Sequence, residues 1–211
     1  MNINLLVPKP LRIGIDFDNT IVLYDHLFYK CACENNLIPA EISMNKKIIR
    51  DHIRLLPNGE ERWIDLQATI YGLRMSEAKI AEGFETFLDW AIIHEHQVFI
   101  ISHKTQYPSL GPQTDLHLVA LAWMEDQGFF NKDEFALSRE NVFFEPTLLN
   151  KLKCIAKRDC TYFIDDLEEV LTHRHFPNTV NQIHFTKFST EESSIMSYSN
   201  WHDILAMFKK L

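Results

Sequence analysis

Residues 12–22 read RIGIDFDNTIV, with Asp16 and Asp18 set directly after one apolar run and ahead of another. An isolated charge in such a place is costly to desolvate, so two acids, an asparagine and a threonine there need a reason. Other apolar runs end in polar groups in the same way. Ile100-Ile101 leads into Ser102, and Tyr162-Phe163-Ile164 leads into Asp165-Asp166. Lys151 opens a short helical stretch after Phe143-Phe144-Glu145-Pro146. Several carboxylates gathered at strand ends are tolerable when a hard divalent cation neutralises them. The chemistry to look for is therefore cation-dependent.

These groups need elements to position them. Short apolar runs predict strands at 12–17, 97–102, 161–164 and 182–185, with a fifth at 141–144. Their apolarity is continuous rather than alternating, which points to burial on both faces in a parallel sheet between helices. Helical patterns lie between them. Phe84, Phe87, Leu88 and Ala91 form one stripe in 82–95. Leu118, Leu121, Ala122 and Glu125 fall at helical spacing in 114–127, which Gly128 can end. Shorter helices are expected at 148–157 and 168–173. Strands alternating with helices predict a doubly wound, Rossmann-like α/β fold.

One interval breaks that rhythm. From residue 21 to about residue 80 no strand is expected; helices at 25–36, 43–56 and 60–73 fill it, the last two parted by Pro57-Asn58-Gly59. A direct crossover needs only about a dozen residues, so an inserted helical unit is expected at 21–80, with 1–20 and 81–211 as the α/β core. Ligands in open α/β sheets bind beyond the carboxyl ends of strands, and an insert rooted there would cover the site. Within it, Trp63, Leu66 and Ile70 read as core. Arg50, Arg54 and Arg74 are weighed as contacts for a second anionic group on a substrate, against the commoner reading of solvated charges.

Length and composition set limits. The chain has 211 residues, 46% of them hydrophobic, enough for one domain with a large core. A formal charge of −8 argues against nucleic acid or an anionic membrane as a general partner. No apolar run reaches membrane-spanning length, and the amino terminus lacks a secretory layout, so a cytoplasmic location is expected. Cys31, Cys33, Cys154 and Cys160 lack zinc-site spacing and read as reduced, mostly buried thiols. His94/His96 and His173/His175 stand two apart, which does not share a helix face, and read as surface residues.

In these residues the sequence resembles the haloacid dehalogenase superfamily, most of whose members are phosphatases. Asp16-Phe17-Asp18-Asn19-Thr20 matches its first motif, Asp-x-Asp-x-Thr; Ser102 fits the second, Lys151 the third and Asp165-Asp166 the fourth. The match runs in order from Ile13 to about Val170. The resemblance implies Mg2+ held by Asp16, Asp165 and the backbone carbonyl of Asp18, with Asp166 acting through a metal-bound water or behind the ligands. It implies that Asp16 attacks phosphorus and forms an aspartyl-phosphate, while Asp18 serves as general acid and then base. Ser102, Thr20 and Asn19 would line or order the phosphate loop, and Lys151 would steady nucleophile and phosphoryl group.

Dehalogenases of this kind lack the second aspartate, and the ion-pumping ATPases carry threonine there, so Asp18 favours phosphatase or phosphotransferase. The expected activity is hydrolysis of a small soluble phosphomonoester, such as a sugar phosphate or nucleotide, under a small helical cap. The rivals are a phosphotransferase using the same intermediate and a metal-binding module without turnover. Lys153 is expected on the surface, and Lys104 reads equally as a substrate contact or a solvent-facing loop residue.

Overall fold

The computed structural model describes residues 9–131, 135–187 and 195–211. The first eight residues, part of the stretch read above for a secretory layout, lie outside them. The chain runs from β1 (Arg12–Ile15) through β2 (Val22–Leu23), α1 (Asp25–Glu34), α2 (Lys46–Arg54), α3 (Gly59–Ala68) and β3 (Lys79–Ile80). It continues through α4 (Phe84–Ile93), β4 (Gln97–His103), α5 (Leu116–Asp126), β5 (Val142–Glu145), α6 (Leu148–Lys157) and β6 (Tyr162–Asp165). It ends with α7 (Glu168–Leu171), β7 (Asn181–Phe185), β8 (Met196–Tyr198) and α8 (Trp201–Phe208).

Six strands form one parallel sheet in the order β5-β4-β1-β6-β7-β8. The chain builds outward from β1 through β4 to β5, then returns to β1's other side to lay down β6. That reversal makes a crevice at the carboxyl ends of β1, β4 and β6, where open α/β sheets bind ligands. Both faces are buried, as continuous apolarity requires. Val98 and Ile100 of β4 join one hydrophobic cluster, and the alternate residues Phe99 and Ile101 join the other. In β1, Ile13 and Ile15 face the first cluster. Gly14 faces the second so closely that a Cβ there would stand 2.6 Å from Phe163 Cδ2.

The segment between β1 and α4 is helical, as expected, with two additions. β2 and β3 pair antiparallel, Val22 with Ile80 and Leu23 with Lys79, tying together the two ends of the insert. Strands of two residues are too short to show a period. The helix expected over 60–73 is α-helical only to Ala68 and continues as a π-helical turn at Thr69–Leu73. Trp63, Leu66 and Ile70 are buried in the same cluster as β1 and β4, with Phe28 stacked on Trp63 at 4.9 Å. The insert therefore shares its core with one face of the sheet.

At the other end, β8 and α8 extend the fold beyond the elements expected from the sequence. Trp201 seals this addition, packing on Phe84 at 4.8 Å and Phe87 at 4.9 Å. Among the described residues no helix is long and apolar enough to cross a membrane.

Candidate active site

Strand register brings the first two acids together. Ile15 lies opposite Ile164, and the Asp16 amide donates to the Ile164 carbonyl at 2.9 Å, carrying the ladder one residue further. Asp16 and Asp165 thus stand level on adjacent strands. Alternation places both on the face that carries Gly14 and Phe163, which is the face covered by Leu152 and Ile155 of α6. The Thr147 hydroxyl caps α6 by accepting from the Asn150 amide at 3.2 Å, which sets Lys151 in the first turn. From there Lys151 Nζ donates to Asp16 Oδ1 and Asp165 Oδ2, each at 2.6 Å.

All three side chains are buried. The other oxygen of Asp165 accepts the Leu167 amide at 2.9 Å, which fixes the carboxylate. Asp166 completes a group of three, its carboxylate within 4.8 Å of those of Asp16 and Asp165. One ammonium among three acids leaves an excess of negative charge. Burial pushes the Asp16 carboxyl up to about 7, against the pull of Lys151 and with the repulsion of Asp165 and Asp18. Burial and the repulsion of Asp16 and Asp165 push Asp166 well above the ordinary carboxylate range.

A cluster of buried oxygen donors with surplus negative charge fits a hard divalent cation such as Mg2+. Thr20 adds an independent sign. It is fully buried, and among the described residues its hydroxyl has no hydrogen-bond partner. A buried orphan hydroxyl in the motif turn is costly unless a ligand completes it. The Thr20 carbonyl is occupied, accepting from Trp201 Nε1 at 3.0 Å.

Asp18 belongs to a second constellation. Asn19 adopts a left-handed backbone, φ 63°, and the Ile21 and Val22 amides both return to the Phe17 carbonyl at 3.0 and 3.1 Å. Asparagine tolerates this conformation better than most residues. Asp18 leads into this turn. Its carboxylate is held by Lys104 Nζ at 2.8 Å and by the Tyr24 hydroxyl, which donates at 2.7 Å. Burial alone would raise its affinity for a proton; Lys104 and Tyr24 overcome this and hold it below the ordinary range. Burial and the neighbouring Asp18 hold the Tyr24 phenol well above its usual range, so it remains a donor.

The insert reaches this constellation. The Tyr24 ring meets the Tyr71 ring edge-on at 4.9 Å, and Lys104 Nζ lies 4.9 Å from the Tyr71 ring centre. Lys46 Nζ donates to the Tyr71 hydroxyl at 2.7 Å.

The residues singled out in the sequence thus separate into two groups. Asp16, Asp165, Asp166 and Lys151 converge, while Asp18 turns its carboxylate to Lys104 and Tyr24 and leaves its backbone carbonyl as the atom the resemblance implied for a cation. Ser102 is buried in β4, two residues beyond the level of Ile15 on the neighbouring strand. Asn19 contributes through its backbone, donating to the Val22 carbonyl at 2.7 Å. Lys153 is exposed, as expected.

Lys104 corrects the solvent-facing reading. Its side chain is 4% exposed, and its amide donates to the Glu145 carbonyl at 3.0 Å, anchoring the residue just past β4. Its position two residues beyond Ser102 was the available signal, since residues two apart share a side of an extended chain. Tyr24, Tyr71 and Lys46 were missed. Arg50, Arg54 and Arg74 are engaged elsewhere, with Asp51, Glu60, and Glu34 plus Glu77. The four cysteines are free, three of them buried.

No protein-family model matches this sequence, and no curated protein matches it. Solved structures do. A haloacid dehalogenase-like family hydrolase from Streptococcus pneumoniae is 12% identical, with 94% of this chain and 98% of that one covered at a TM-score of 0.60. A predicted phosphoglycolate phosphatase from Haemophilus somnus is 11% identical over 94% and 98% of the two chains, at 0.56. A structure described as a dehalogenase is 9% identical over 96% and 98%, at 0.56. At such identities the likeness is one of fold, and the fold is that of the haloacid dehalogenase-superfamily hydrolases.

Proposed function

We propose that this chain is a Mg2+-dependent phosphomonoester hydrolase working through an aspartyl-phosphate on Asp16. The supporting observation is the double contact of Lys151 with Asp16 and Asp165, beside a third carboxylate and apart from Asp18. A nucleophile and an acid–base group must be held separately, and here different cations hold each one. Asp16, Asp165 and the Asp18 carbonyl would hold the cation, with Asp166 next to them. When bound, it supplies charge that shields the attacking carboxylate from an anionic phosphoryl group.

The remaining steps belong to the chain. An Asp16 oxygen forms a bond to phosphorus as the bond to the leaving oxygen breaks, and Lys151 offsets charge on both nucleophile and phosphoryl group. Asp18, ionised beside Lys104 in the free protein, would take up a proton brought in by a monoanionic ester and pass it to the leaving oxygen, then take one from the water that hydrolyses the acyl phosphate. Such help is typically worth about 10²–10⁴ in rate. Tyr24 and Lys104 aim the Asp18 carboxylate. Ser102, Thr20 and Asn19 order the phosphate side, with the Thr20 hydroxyl free to donate to an oxygen. The insert, rooted in the turn after Asp18, acts as a cap that excludes water and selects a small soluble ester. Four free cysteines suit a reducing, cytoplasmic setting.

A phosphomonoester panel with Mg2+, with and without a chelator, tests this reading. Turnover that the chelator abolishes and that Asp16→Asn nearly eliminates is expected. Background rates throughout, or wild-type rates in the variant, would refute it. An added alcohol acceptor separates hydrolysis from phosphoryl transfer.

A further inference from the structure

Lys46 carries a charge where its own helix disfavours one. It is the first residue of α2, at the positive end of the helix dipole, where a cation is disfavoured. The other groups at this helix start are already satisfied. The Asn45 side chain accepts from the Lys47 and Ile48 amides at 3.0 and 3.1 Å, and Asp25 accepts the Lys46 amide at 3.0 Å. The side chain is half-buried, its ammonium 5.3 Å from the Phe28 ring centre and 5.5 Å from that of Tyr71. Among the described residues no carboxylate forms an ion pair with it. Arg50, Arg54 and Arg74 of the same insert each have an acidic partner.

The residue that anchors Lys46 is itself specially placed. Tyr71 lies in the π-helical turn at Thr69–Leu73, a distortion that re-aims side chains and recurs at functional sites. Gly72 beside it packs so near Thr114 that a Cβ would stand 3.2 Å from that side chain, which sets the turn against the loop before α5. The Tyr71 ring has two ammonium groups near it, that of Lys46 from the insert at 5.5 Å and that of Lys104, just past β4, at 4.9 Å. Lys104 is neutralised by Asp18; Lys46 has only a phenol. Burial works against its charge, but Tyr71, Asp166 and Asp18 keep the ammonium protonated.

We propose that Lys46 reads a second anionic group, carboxylate or phosphate, on a short leaving group whose scissile phosphoryl sits at Asp16. The proposal rests on the phosphohydrolase reading above. An anion at Lys46 would supply the partner that the helix start and the aromatic walls do not. The shared Tyr71 ring keeps the two ends of such a substrate close, which limits its length.

The experiment compares three alkyl monophosphates of equal chain length, with Mg2+: one uncharged at its far end, one ending in a carboxylate and one in a second phosphate. Wild type should favour at least one charged ester in kcat/KM, and Lys46→Met should shrink that preference by about 10-fold or more, chiefly through KM, the size of a charge-assisted hydrogen bond. Lys46→Arg should keep most of it, which a merely structural role would not require. The two charged arms identify the anion. Wild-type preference for the uncharged ester, or an equal loss on all three in Lys46→Met, would overturn the proposal while leaving the hydrolase standing. No turnover of any ester by wild type would overturn both.

Discussion

Lys104 Nζ lies 2.8 Å from Asp18 Oδ2, joining the chain just past β4 to the acid that follows β1. Lys151 makes the parallel connection between α6 and Asp16. Each acid of the Asp-x-Asp pair therefore has its own buried ammonium. Their proton affinities differ nonetheless: burial and the repulsion of Asp165 raise Asp16 against the pull of Lys151, whereas Lys104 and Tyr24 outweigh burial and lower Asp18.

Removing Lys104 should expose that dependence. Lys104→Met leaves Asp18 a largely buried carboxylate held by Tyr24 alone, and should cost about 3 kcal/mol of stability at pH 7. The folded-state affinity of Asp18 for a proton is depressed, so its stabilisation is present above the unfolded value, about 3.9, and disappears as pH falls through the lower folded one. The gap between wild type and variant should therefore narrow in acid. Urea denaturation from pH 7 to pH 3 measures it; a constant gap would contradict the assignment.

Metal affinity should depend on pH through Asp16. With its carboxyl raised to about 7, protons compete for the site below that value. Titration calorimetry with Mg2+ should show affinity rising from pH 6 to pH 8 and levelling above, with protons released in the lower range. Affinity that is flat across this range would exclude Asp16 as a titrating ligand.

Lys151→Met should abolish turnover yet strengthen Mg2+ binding. Without its ammonium, three neighbouring carboxylates face one another, and a buried charge left unpaired costs about 3–5 kcal/mol. A divalent cation can replace the lost charge. The rise in Tm on adding Mg2+ should be larger in the variant than in wild type, and a smaller rise would show that Lys151 does not share the cation's field.

Gly14→Ala tests the packing beneath the site. The added methyl would stand 2.6 Å from Phe163 Cδ2 and 3.0 Å from Cys160 Sγ, both in the buried layer under α6. Overpacking of this kind typically costs about 1–3 kcal/mol, and the midpoint of denaturant unfolding should fall accordingly. An unchanged midpoint would mean that the β1–β6 layer is looser than described.

The sheet was legible because burial on both faces leaves a mark in the chain: runs such as Val98–Ile101 have no polar position to interrupt them. The motif acids were legible because charge at the end of such a run is anomalous. The paired strands Val22–Leu23 and Lys79–Ile80 left no mark, since two residues carry no period. Nor did the change from α to π at Thr69, because apolar spacing continues through the turn and only the backbone hydrogen bonding changes.

By itself, then, the sequence determined the parallel α/β fold, the helical insert after β1 and the identity of the acids Asp16, Asp18, Asp165 and Asp166. Those follow from local pattern, which every residue carries with it. The tertiary structure decided which lysine meets which acid. Lys104 and Lys46 look alike as letters, solvated charges on short polar segments. Only in the folded chain, with Tyr71 near both ammonium groups, does one become the partner of Asp18 while the other has no carboxylate ion pair among the described residues. Pairing of that kind depends on distances between segments far apart in the chain, and no spacing in the sequence encodes them.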